Sequence, residues 1–183
     1  MRRFARWSRS LPVLLACNAA LVSFVICVGW HAANARHARA EVRLDQAARD
    51  TAGNIRRHVH HIVGGNLRVV ATLLAGGCTL GLFTLVHLLW NAFTLGFGLS
   101  TLARGSPEAI PLALRYVPLE FSAFVLVASA TEHLSFTVLR YLAASETPRF
   151  RPATIALAIA LGMLVVAAFI EARVTQLVTA IGD

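Results

Sequence analysis

The chain has 183 residues, 57% of them apolar and 14% charged, where a soluble domain carries roughly 25% charged residues. Its formal charge of +8 comes from 17 basic residues, all of them arginine, against nine acids. Such a composition excludes a soluble catalytic domain. The arginines flank apolar segments rather than forming a stripe laced with aromatics, so nucleic acid is excluded as a partner, and topology and anionic headgroups account for them instead.

Residues 1–10 carry Arg2, Arg3, Arg6 and Arg9 and no acid, the composition of a cytoplasmic N-terminus. Residues 11–30 follow as an apolar run interrupted only by Asn18 and Ser23, enough to cross a hydrocarbon core of about 30 Å. The basic flank resembles that of a signal peptide, and Ala33-Asn34-Ala35 offers a small-x-small cleavage pattern. The run exceeds the roughly 7–15 residues of a signal sequence's apolar region, however, so a retained first span is expected.

Residues 31–66 form a connecting segment in which Leu44, Ala48, Ile55, Val59 and Ile62 recur at helical spacing, with Arg43, Arg49, Arg56 and Arg57 elsewhere around the wheel. The pattern predicts an amphipathic helix lying on headgroups or packed against the bundle. His58, His60 and His61 sit in it, with His31 and His37 upstream. Neighbouring side chains on a helix point in different directions, so no metal site is expected from them.

Residues 67–103 are too long for one crossing, because a straight helix of that length would run about 55 Å. Gly76-Gly77, Asn91, Gly96 and Gly98 mark the places where it can break or pack closely. A third block, 110–142, contains Pro111 and Pro118 with Arg115, Glu120, Glu132 and Arg140, and a fourth, 153–170, ends in Glu171 and Arg173. A tail of residues 176–183 closes the chain.

Charge fixes the count. Arg140, Arg149 and Arg151 make the segment before the last block basic and therefore cytoplasmic, like the N-terminus. Two cytoplasmic ends require an even number of crossings between them. The first block supplies one, so the second and third together supply three. An all-α polytopic membrane protein of about five spans is predicted, with a broken second block. This places residues 31–66 outside although they carry six arginines, and four spans with a re-entrant hairpin is the alternative count.

Cys17, Cys27 and Cys78 fall in apolar runs without CxxC spacing and are expected to be small packing residues. The intramembrane polar residues say more. An ionised carboxylate at mid-bilayer costs roughly 2.5–3.5 kcal/mol on insertion scales, yet the chain keeps Glu120, Glu132 and Glu171 together with His87, Asn91 and Arg115. These residues are expected to face a bundle interior, either as a hydrogen-bond network that fixes helix register or as a route for protons or substrate. Glu120 is expected to find His87 or Asn91. No HExxH, GxSxG, paired protease-like aspartates or GxxxxGK[ST] loop is present, so neither an enzyme nor a cofactor is expected.

The stretch NLRVVATLLAGGCTLGLFTLVHLLWNAFTLGFGLS, beginning at Asn66, resembles the central region of the stage II sporulation protein M family. Asn66, Gly76, Gly77, Thr79, Gly81, Thr84, Asn91, Gly96 and Gly98 carry the likeness. YVPLEFSAFVLVASA is similar to the family's H-G-x-x-E element, with Glu120 and Ala123 on its acid and small positions. Ile170-Glu171-Ala172 with Val174-Thr175 is similar to its terminal I-E-A element. Tyr116 stands at the family's His position, Val117 at its Gly, and Ala92 follows Asn91 where a Gly is usual, so no role of that His is carried over. The likeness places the family's membrane core at residues 67–175. It implies a multi-span protein without established catalytic activity, acting as a scaffold or accessory subunit. Its implied partners are the bilayer, a cell-wall hydrolase and a second copy of the chain. The alternative it implies is the permease subunit of an ABC-type exporter, which would need a separate ATPase.

Overall fold

In the computed structural model, residues 11–36, 55–145 and 147–182 are described, and they form helices joined by short turns. Helix α1 spans Leu11–Arg36 and α2 spans Ile55–Ala75. A 3-10 turn, Gly76–Thr79, leads into α3, Leu82–Gly105. After a second 3-10 turn, Pro107–Ala109, come the short α4 at Ile110–Ala113, α5 at Val117–Ala144 and α6 at Arg151–Gly182. Five of these helices are long and apolar enough to cross a membrane, as the parity of charges predicts. The outward face is what lipid requires: Phe24, Leu82, Trp90 and Phe169 are all more than half exposed.

Helix α1 continues unbroken past Ala33-Asn34-Ala35 to Arg36. The first half of the expected amphipathic segment, with Leu44 and Ala48, lies outside the described residues. Its second half is the start of α2, so Ile55, Val59 and Ile62 ride on the same rod as the buried Val70 and Leu73. The exposed His60 and His61 are therefore on the entry turn of a membrane helix.

The long second block breaks once. Gly76-Gly77 opens the turn, Leu80 (φ 54°) and Gly81 (φ 86°) both take left-handed backbone, and the chain reverses into α3. The turn satisfies its own polar groups: Gly81 N–H donates to the Gly76 carbonyl at 3.2 Å, and Thr79 Oγ1 to the same oxygen at 2.8 Å. Thr84 Oγ1 reaches back to the Leu73 carbonyl at 2.8 Å and is fully buried. Asn91, Gly96 and Gly98 leave α3 unbroken. A lone glycine costs a helix only about 1 kcal/mol, and Gly96 repays that by letting α1 approach: its α-hydrogen faces the Ile26 carbonyl, as Gly29 faces that of Phe93. These contacts run on to Asn34, whose Oδ1 accepts from Ser100 and Arg104, so α1 and α3 lie parallel.

Helix α5 is the centre of the bundle, with 61% of its spanning window buried against 11–33% for the others. Its Ala123, Val127, Ala128 and Ala130 are fully buried, and small residues on α6 (Ala153, Ala160, Ala168) let the two helices close on each other without a gap. The cysteines are not part of this packing. Cys17, Cys27 and Cys78 are all exposed, Cys17 and Cys27 on α1 and Cys78 on the α2–α3 turn, where it lines an open cavity beside α5.

Candidate functional site: polar clusters at the middle and the start of the central helix

Thirteen residues of α5 are buried, among them Ser129, Thr131, Glu132, His133, Ser135 and Thr137. Such a polar half-helix inside a membrane bundle needs partners, since unpaired groups there are costly. Most of it has them. Asn18 of α1 places its amide nitrogen 3.0 Å from Ser129 Oγ and 3.1 Å from Glu132 Oε2, donating one hydrogen to each. Ser129 passes its own hydrogen to the Val125 carbonyl at 2.8 Å. Ser135 Oγ lies 3.1 Å from the Gly77 carbonyl and ties the turn to α5.

Gly81 makes the space for Glu132. A Cβ there would come within 2.9 Å of Glu132 Cγ, on a backbone whose φ of 86° side chains rarely adopt. The first cluster therefore joins α1, the α2–α3 turn and α5 at one level. Only His133 stands apart: it is 7% exposed, and neither ring nitrogen has a hydrogen-bond partner.

The second cluster lies at the start of α5, about 18 Å along the axis from Glu132, which sits near the middle of the helix. Pro118 opens α5 near its first turn, where its missing N–H costs nothing, and this start points Tyr116 and Glu120 at α2 and α6. Asn66 turns its side chain toward the Glu120 carboxyl, although Nδ2 closes no hydrogen bond of normal geometry and is buried. Glu171 of α6 lies within electrostatic range of both Glu120 and Tyr116. Burial pushes the Tyr116 phenol up to about 12, with the charges of Glu171 and then Glu120 adding to the effect. Its hydroxyl therefore stays protonated and available as a donor between the two acids.

The six polar residues singled out in the sequence thus separate. Glu132 belongs to one cluster, Glu120 and Glu171 to the other. His87 and Asn91 join neither: Asn91 Nδ2 donates to the His87 carbonyl on its own helix at 2.8 Å, and the His87 ring stands edge-on to Phe83 at 4.9 Å. Glu120 meets Asn66 and Glu171 rather than His87 or Asn91. Arg115 is exposed. Of the glycines, Gly76 and Gly77 form the turn, Gly96 packs on α1, and Gly98 faces open space.

Asn18, Ser129, Asn66 and Tyr116 complete the clusters. Asn18 was visible in the sequence only as a polar break in an apolar span, and Ser129 gave no signal of its own. Among the described residues no three His, Cys, Asp or Glu side chains converge as metal ligands would. Chemically, the first cluster is a closed hydrogen-bond network. The second is an acid pair with a neutral phenol and an amide, able to share a proton or to receive a basic group.

The family model for stage II sporulation protein M matches residues 18–176, a span that includes every member of both clusters. No curated protein and no solved structure matches the chain.

Proposed function

Because the chain belongs to the stage II sporulation protein M family, we propose that it works as a non-enzymatic scaffold in the bacterial cytoplasmic membrane, holding a cell-wall hydrolase at the bilayer. The observation that carries this reading is the use made of the buried polar groups. Asn18, Ser129, Glu132, Ser135 and Thr84 hydrogen-bond to one another or to backbone across helices, where they fix register. A transport route needs the opposite, polar side chains turned into a wet cavity. A bundle stapled in this way suits a rigid platform.

The arginines of residues 1–10 and of the α5–α6 connection orient the platform with its N-terminus inside. The level of Glu132 then faces the cytoplasm, and the Tyr116–Glu120–Glu171 cluster faces outward, where a cell-wall enzyme works. Affinity purification of the full chain from its native host in a mild detergent tests the proposal. A cell-wall hydrolase recovered in constant proportion supports it. A monodisperse chain without a protein partner, or one recovered with an ATP-binding cassette subunit, contradicts it.

A further inference from the structure

Arg68 stands one position from the middle of the Val59–Thr79 span and is exposed on the surface of α2. An arginine at that depth normally turns into the bundle or a wet cavity and pairs there. This one faces outward, because the opposite side of α2, with Val70 and Leu73, is buried against the other helices. Its backbone carbonyl accepts the Thr72 hydroxyl at 2.8 Å. The guanidinium itself meets no acid among the described residues.

The rest of that face allows close approach. Gly64, Ala71 and Ala75 share one side of the helix with Arg68 by their spacing, and all three are exposed. A Cβ at Gly64 would meet nothing within 4 Å, unlike one at Gly29 or Gly96, where the missing side chain lets α1 and α3 touch. Glycine weakens a helix, and at Gly64 the packing of this chain gives nothing in return. Small residues on a membrane helix let a second helix come near.

From a mid-span guanidinium framed by small residues on an uncovered face, we infer that α2 docks a transmembrane helix of another protein, one with a carboxylic acid near its middle. Charge complementarity selects the acid. Pairing takes a lone charge out of hydrocarbon, and the planar guanidinium fork can hold both carboxylate oxygens. A second copy of this chain does not supply such an acid. Among the described residues Glu132 is buried beside Asn18, Glu120 and Glu171 belong to the outer cluster, and Glu108 lies on a 3-10 turn outside the spans. The face is separate from both polar clusters and does not depend on the scaffold reading.

The test is energy transfer between the dye-labelled full chain and a labelled polyleucine transmembrane peptide, both reconstituted in phosphatidylcholine vesicles. One peptide carries a single central Glu and its control has Leu there. The Glu peptide should associate about tenfold more tightly than the control, and Arg68→Leu should abolish the difference. Gly64→Leu, which keeps the charge but blocks close approach, should weaken association as well. Both positions are exposed, and an unchanged thermal unfolding curve identifies variants that remain folded. Equal association of the two peptides, or a preference that survives Arg68→Leu, overturns the site, because Arg68 would then be held by lipid headgroups. Association lost with Arg68→Leu but indifferent to Gly64→Leu also overturns it, since the charge would act without helix packing. Energy transfer between two labelled copies of the chain that disappears with Arg68→Leu overturns the choice of partner.

Discussion

Asn18 and Glu132 stand 114 residues apart in the chain and 3.1 Å apart in space, joined by one amide hydrogen, while the other hydrogen of the same amide goes to Ser129. This single side chain locks the first membrane helix to the central one. It also supplies a donor to a carboxylate that is itself buried.

The two residues should therefore respond unequally to substitution. Glu132→Gln keeps an oxygen acceptor for Asn18 and should cost less than about 0.6 kcal/mol, the usual worth of a whole hydrogen bond in membrane. Asn18→Leu strands both Ser129 and Glu132 and should cost roughly 1–3 kcal/mol. Equilibrium unfolding of the detergent-solubilised protein measures both. If Asn18→Leu proves the milder change, the network does not hold the helices in register.

Gly96 and Gly98 offer a paired comparison on one helix. A methyl at Gly96 would press into the backbone carbonyl of Ile26, whereas nothing lies within 4 Å of one at Gly98. Gly96→Ala should destabilise by about 1–3 kcal/mol, and Gly98→Ala should be neutral or stabilising by up to about 1 kcal/mol. Thermal unfolding of the two variants beside the parent gives the answer, and equal effects would contradict the close α1–α3 contact.

Tyr116 makes the outer cluster visible in solution. The chain has two tyrosines, so in a Tyr141→Phe background the phenolate absorbance reports Tyr116 alone. Its titration should be centred near 12, and Glu171→Gln should bring it down by removing a neighbouring charge. The sign for stability follows from linkage. An unfolded tyrosine loses its proton near 10, while the folded one holds it to about 12. The native state thus binds more protons in that window, and stability falls as pH rises through it. Tyr116→Phe should remove that part of the alkaline loss.

Orientation is open to direct labelling. In a background without Cys17, Cys27 and Cys78, single cysteines at Ser106, which ends α3, and Ser145, which ends α5, sit at the ends of two successive spans. An impermeant thiol reagent added to intact cells should label position 106 and spare position 145. The reverse pattern would invert the bundle and move the acid cluster to the cytoplasmic face.

How much of this was legible in the sequence depends on the range of the interaction. Span number was, because hydrocarbon thickness and arginine placement act on each segment separately. The break at Gly76-Gly77 was legible as well, since the block is too long for one crossing and a glycine pair weakens a helix; that Leu80 and Gly81 complete the reversal in left-handed backbone was not. That α3 passes straight through Asn91 and Gly96 was not, because Asn91 is satisfied by its own helix and Gly96 by α1, and the sequence of α3 alone contains neither contact. The same holds for the clusters. Glu120, Glu132 and Glu171 announce themselves by the cost of an acid in an apolar block. Which of them meet depends on how each helix is rotated about its axis, and only packing sets that. Hence Glu120 was assigned to α3 and found facing α2 and α6. Asn18, an ordinary polar break in a first span, proved to be the residue joining α1 to α5.

The central claim is that the chain holds a cell-wall hydrolase at the membrane, and partner retention tests it most directly. The hydrolase recovered with the full chain should be quantified in membrane and soluble fractions of native-host cells with and without this protein. The account predicts that the hydrolase leaves the membrane fraction when the chain is deleted and returns when it is restored. A hydrolase that stays equally membrane-bound in the deleted strain would contradict the scaffold reading.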